Sequence, residues 1–298
     1  MKASAISFVP VVGLGEPTAI LSYGKNETML IPEAVPQFLN HVVGSGAPAV
    51  WRFVTGSPTR DRQFMADKAK EMFDKSISTT RKNILVHKIA GEGWGITSPN
   101  YKKVYDYDVL TAGLEYGGED NFYRLYHTPG RTAADFRIND FHDPSGKLYY
   151  TLVRMENNQW GRHSLSLKPA IVRQVCSNGA VVPVMKLGSI SVRHIGDINL
   201  GATRDYFANV KQESDVFSNI INKSFGQKVP LEPYLQKVMT THRIPKKDMV
   251  GVERYLRLED NPATLYSVAN AVSRLANDYD GERRLDLQVI AGKIYTDF

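Results

Sequence analysis

The period of the apolar positions changes twice along this chain, dividing it into a helical, a stranded and a second helical stretch. Residues 1–28 carry Pro10, Gly13, Gly15 and Pro17 and read as strands and turns. Pro32 suits the first turn of a helix that buries Val35, Phe38, Leu39 and Val42 and ends at Gly44-Ser-Gly46. A second helix, capped by Thr59 or Asp61, turns Phe64, Met65, Ala69, Met72 and Phe73 inward. Its outer face carries Arg60, Arg62, Lys68, Lys70 and Lys75.

From Ile84 the period falls to two. Residues 84–89 predict a strand, and Gly91-Glu-Gly-Trp-Gly95 the turn after it. Residues 121–127 alternate, with Phe122, Arg124 and Tyr126 on one face and Tyr123 and Leu125 on the other. Residues 134–138 and 147–155 repeat the pattern across a loop containing Asp143-Pro-Ser-Gly146. In 164–168, Leu165 and Leu167 face inward and Ser164, Ser166 and Lys168 outward. Residues 189–194 place Ile190 and Val192 inward and Ser189, Ser191 and Arg193 outward. Short strands joined by turns predict an antiparallel sheet.

After Gly196 the helical period returns. Phe207, Val210, Phe217, Ile220 and Ile221 fit one long or broken helix, and Tyr234, Leu235 and Val238 another that ends before Pro245. A last helix, from about Pro262, buries Leu265, Val268, Ala269, Val272 and Leu275. The fold class is therefore α+β: an antiparallel sheet with N-terminal helices and a helical C-terminal lobe. The expected division is a core domain over 1–196 and a lobe over 197–298 packed on it, alternatively one continuous domain.

Composition narrows the class. Apolar content of 42% and charged content of 23% are those of a folded globular protein. Cys176 is the single cysteine, which excludes intrachain disulfides and suits a reducing compartment. Residues 1–13 lack an apolar signal-peptide core, and no run approaches the ~20 apolar residues that cross a bilayer. The expectation is a soluble cytoplasmic protein without a membrane partner.

Charge is uneven. Residues 162–204 hold Arg162, Lys168, Arg173, Lys186, Arg193 and Arg204 against Asp197 alone. That imbalance calls for an anionic partner. Serines beside Lys and Arg on two outward strand faces are common phosphate-contacting chemistry. Tyr149, Tyr150 and Trp160 interleave with Arg154 and Arg162, as a single-strand stacking groove requires, although aromatics are as often core. The candidate nucleic-acid-binding residues are Arg154, Arg162, His163, Ser166, Lys168, Arg173, Lys186, Arg193 and His194.

No phosphate-binding loop, Cys-x-x-Cys pair, His-Glu-x-x-His or Gly-x-Ser-x-Gly elbow is present, so no catalytic residue, cofactor or resident metal is expected. Gly13-Leu-Gly15 and Gly91-Glu-Gly-Trp-Gly95 read as turns. Asp140, His142 and Asp143, joined by Glu156 and Asp135, have metal-ligand chemistry, but hairpin-turn chemistry accounts for the loop residues too. Cys176 reads as a small buried hydrophobe, and Asn178-Gly179 as a left-handed turn.

The run Gly161-Arg-His-Ser-Leu-Ser-Leu-Lys-Pro-Ala-Ile-Val-Arg-Gln-Val-Cys-Ser-Asn-Gly179, followed by Arg193-His194-Ile195-Gly196, resembles the signature of phage/plasmid-like proteins of unknown function. Weaker similarity extends over roughly 28–298, through Leu30-Ile-Pro-Glu-Ala34, Pro99-Asn-Tyr101 and the segment from Thr264 to Val272. Arg154-Met-Glu-Asn-Asn-Gln159 departs from the family's usual Asn-Ser-Glu run. The resemblance implies a mobile-element origin and supplies no activity.

The leading expectation is a non-enzymatic nucleic-acid-binding protein of phage or plasmid replication or recombination. Single-stranded DNA binding or annealing is its most concrete form, with homo-oligomerisation compatible. One alternative is a metal-dependent nuclease or nucleotidyl enzyme using Asp140, Asp143 and Glu156; another is a host-interaction protein with a basic surface.

Overall fold

The computed structural model describes residues 1–13, 15–173, 178–181, 188–194 and 200–298. It is a mixed α+β chain of two compact units, with helices closing the C-terminal half. No helix among the described residues is long and apolar enough to cross a membrane.

The first unit comprises Met1–Val104 and Asn158–His163, with His194. Its strands are β1 (Ser7–Val11), β2 (Thr18–Tyr23), β3 (Asn26–Leu30), β4 (Leu85–Ile89) and β5 (Glu92–Thr97), in sheet order β1-β2-β3-β5-β4. All neighbours run antiparallel except β3 and β5. Helices α1 (Ala34–Val42), α2 (Ala47–Gly56) and α3 (Arg62–Thr79) enclose a core in which Phe8 stacks on Phe38 and meets Trp51 and Phe73 edge-on.

Two local expectations change here. α3 buries Ala66, Ala69, Phe73 and Ile77, and leaves Phe64 and Met72 64% and 60% exposed. The small alanines let α3 lie close to its neighbours, so the inner stripe is rotated away from the bulkier side chains. The turn after β4 is Ala90-Gly91, both with positive φ, and the chain re-enters the sheet at Glu92. Gly93 and Gly95 are thus strand glycines. At Gly93 a Cβ would lie 2.5 Å from Leu30 Cδ2, and at Gly95 it would lie 2.6 Å from the Trp160 carbonyl oxygen.

The second unit holds Tyr105–Asn157, Ser164–Arg193 and residues 200–298. Its sheet combines β6 (Phe122–His127), β7 (Thr132–His142), β8 (Leu148–Asn157), β9 (Leu165–Arg173) and β10 (Asn178–Val181) in order β10-β9-β8-β7-β6. β11 (Ile190–Val192) also pairs with β9, and every pairing is antiparallel. The helices are α4 (Asp106–Gly117), α5 (Ala202–Gln212), α6 (Asp215–Gly226), α7 (Leu231–His242), α8 (Lys246–Leu256), α9 (Leu265–Leu275) and α10 (Gly281–Tyr295). The C-terminal helices pack with the sheet of this second unit: α9 and α10 lie against β10, and α5 against β7 and β9.

Gly113 and Gly117, one turn apart, let α4 approach that sheet. A Cβ on Gly113 would come within 2.5 Å of Phe136 Cζ and 2.9 Å of Met155 Sδ. Gly113→Val should therefore destabilise the protein by about 1–3 kcal/mol through overpacking, read as a lower thermal midpoint with unchanged far-UV dichroism. Asn178 and Gly179 pair with Arg173 and Val172 in the β9–β10 ladder, so the expected left-handed turn does not fall on them. Cys176 lies outside the described residues.

Candidate nucleic-acid interface

Ser166 and Lys168 share one face of β9, as their alternation predicts, and the β8–β9 register brings Arg154 of β8 to the same sheet face. Arg124 stands opposite Asp135, Asp135 opposite Arg154, and Arg154 opposite Lys168; one step along, Glu156 faces Ser166. The face is interior. Arg154 and Asp135 are both 0% exposed, joined by Nε–Oδ1 and Nη2–Oδ2 hydrogen bonds of 2.7 and 2.8 Å. Arg124 Nε donates to the same carboxylate at 2.6 Å. Burial pushes the Asp135 carboxyl up, but Arg154 and then Arg124 outweigh it and hold it at about 2. Glu156, also buried, stays below the usual carboxylate range because Lys168, Arg154 and Arg131 outweigh its desolvation. Lys168 Nζ donates to Glu156, and Arg131 adds Glu282 and Asp286 of α10 at 2.9 and 3.4 Å.

The sequence-predicted residues are thus spent on structure or divided between the units. Arg154 is enclosed, Ser166 is buried, and Arg173 is buried beside Glu259 at 3.9 Å. Half-buried Lys168 is paired with Glu156. Arg162, His163 and His194 belong to the first unit. There Arg162 Nη2 donates to the Trp94 carbonyl at 2.5 Å, and buried His194 stacks on Tyr101 with its Nδ1 2.7 Å from the phenol oxygen. His163 is half-buried, Arg193 is exposed, and Lys186 lies outside the described residues. Arg154, Ser166, Arg173 and His194 therefore offer no surface to a ligand in this structure, because burial and internal partners have claimed them.

The acidic loop is a turn. Asp143 Oδ1 accepts from Ser145 N and Lys147 N at 2.8 and 2.9 Å, while Oδ2 accepts from Tyr266 Oη. Asp140 pairs with Arg137 at 2.7 Å. It stands opposite Tyr150, six positions along β8 from Glu156, a separation of about 20 Å in an extended strand. Asp140, Asp143 and Glu156 therefore do not converge, and no metal-holding group of three His, Cys, Asp or Glu occurs among the described residues.

A different set of cations does converge. A pocket of about 230 Å3 in the second unit is lined by Tyr116 of α4, Asn121, Arg137 of β7, and Arg204, Phe207 and Lys211 of α5. Arg204 and Lys211 are seven residues apart, two turns along one helix face, and both are exposed. Arg204 lies over the Tyr116 ring at 5.3 Å and Arg137 over Tyr150 at 4.2 Å, so each guanidinium sits beside an aromatic face. Asn121 Nδ2 donates to Gly117 O at 2.8 Å, and buried Phe207 supplies the floor. No carboxylate lines the pocket, and among the described residues neither Arg204 nor Lys211 has an acidic partner. Phe122, next to Asn121, is 41% exposed and edge-on to Phe136, which in turn meets Phe207. Such a concavity can neutralise an oxyanion beside an exposed aromatic face.

Arg204 belongs to the basic segment of the sequence without a role there, and neither Arg137 nor Lys211 stands out in the sequence. The seven-residue spacing of Arg204 and Lys211 was the available signal; Arg137 carried none, since a strand residue meets a helix only through tertiary packing. Compared with known proteins, the chain matches no family model, no curated protein and no solved structure.

Proposed function

We propose that this chain binds nucleic acid without catalysing a reaction on it. Single-stranded DNA is the leading ligand, and phage or plasmid replication or recombination is the setting that the sequence resemblance suggests. The observation that carries the reading is the pocket in which Arg137, Arg204 and Lys211 converge with no carboxylate in its lining. Lys and Arg at a concave surface neutralise phosphates, and that term dominates affinity for nucleic acids. Exposed Phe122 and half-buried Tyr116 favour a single strand, whose unpaired bases can stack on an aromatic face.

A mobility-shift titration against single- and double-stranded DNA at two salt concentrations, with and without magnesium, tests the reading. The expected result is tighter binding of the single strand, weakening with salt, and intact DNA in every lane. Absence of a shift at low salt would refute binding, and magnesium-dependent cleavage would put the metal-enzyme alternative in first place. Asp140→Asn should tighten binding up to about fivefold, since it removes the carboxylate that offsets Arg137. Filter binding of the parent and the variant at one salt concentration checks this.

A further inference from the structure

We infer that the pocket between α4, α5 and β7 takes a phosphomonoester, so that the protein holds the phosphorylated end of a strand in preference to its interior; this rests on the nucleic-acid reading above. The argument is one of charge and shape. Arg137, Arg204 and Lys211 bring three positive charges to the pocket, and Asp140, 2.7 Å from Arg137, offsets one. The remaining two match a terminal phosphate, which carries close to −2 at neutral pH, whereas each internal diester carries −1. The cavity of about 230 Å3 has Gly117 and buried Phe207 in its lining. It can receive a group entering end-on, while an internal diester must keep chain on both sides. Two guanidinium groups, each beside an aromatic ring, offer N–H donors suited to the three oxygens of a monoester.

The test measures fluorescence anisotropy of one short oligothymidine with an internal label, prepared with a 5′-phosphate, with a 3′-phosphate, or with both ends as hydroxyls. At pH 7.5 a phosphorylated form should bind about fivefold or more tightly than the hydroxyl form, and the better of the two phosphate arms identifies the end. The preference should shrink at pH 5.5, where the monoester passes below its second pKa of about 6 and loses a charge. It should vanish in Arg204→Ala/Lys211→Ala and persist in part in the charge-conserving Arg204→Lys, with thermal melts showing both folded. Equal affinity of all three oligonucleotides overturns the end-binding inference and leaves the nucleic-acid reading standing. A preference that survives in the folded double variant also overturns it, by placing the end elsewhere. Binding of none of the three refutes both.

Discussion

Asp135→Ala should be among the most damaging single substitutions in this chain, costing about 3–5 kcal/mol of stability, because it leaves the fully buried Arg154 without its bidentate partner. Arg124, only 14% exposed in its side chain, loses the same carboxylate. The cost comes from uncompensated charge, so Asp135→Leu combined with Arg154→Met should recover much of it; chemical denaturation of the parent, both single variants and the double variant closes that cycle. The same pair sets an acid limit. The Asp135 carboxyl is held at about 2 in the fold, against about 3.9 in an unfolded chain. A depressed folded value stabilises fully above the unfolded pKa and loses that contribution as pH falls through the folded one. On the order of 2–3 kcal/mol should therefore drain away between roughly pH 5 and pH 1. In Asp135→Ala that part of the acid dependence should be missing. An unchanged acid profile would show that other carboxylates set it.

The largest functional effect is expected from Arg204→Ala/Lys211→Ala. Neither side chain has an acidic partner among the described residues and both are exposed, so their loss should leave the thermal midpoint within about 1 kcal/mol of stability of the parent. Affinity for single-stranded DNA should nevertheless fall about 30-fold at low salt, from about 1 kcal/mol per lost phosphate contact. The loss should be the same for all sequences, since contacts to phosphate position a strand without reading its bases.

Much of the fold was legible where apolar residues keep a helical or strand spacing. α1 turns Val35, Phe38, Leu39 and Val42 to a core, and α9 spaces Leu265, Val268, Ala269, Val272 and Leu275 along one face, although Ser267, Asn270 and Ser273 on its other side are buried as well. β8 and β9 are buried on both faces and were legible only because one of those faces is polar. α10 was missed because Leu285, Leu287, Gln288, Ile290, Ala291 and Ile294 are buried on more than one side, which leaves no clean stripe. α4 was missed because its buried face sets Gly113 and Gly117 beside only Val109 and Ala112, which leaves a weak apolar stripe. The site was legible only as an excess of charge. Sequence shows that Lys168 shares a strand face with Ser166, but Arg154, Asp135 and Glu156 reach that face from neighbouring strands through register, and register is not written in composition.

The central claim, phosphate neutralisation at the α5 pocket, is tested most directly by the salt dependence of single-strand affinity in parent and double variant. Each phosphate contact contributes about −0.7 to the slope of log affinity against log salt on single strands. Removing Arg204 and Lys211 should make the slope shallower by about 1.4, with both proteins folded. Parallel lines for the two proteins would contradict the account, because the phosphates would then be held by some other surface of the chain.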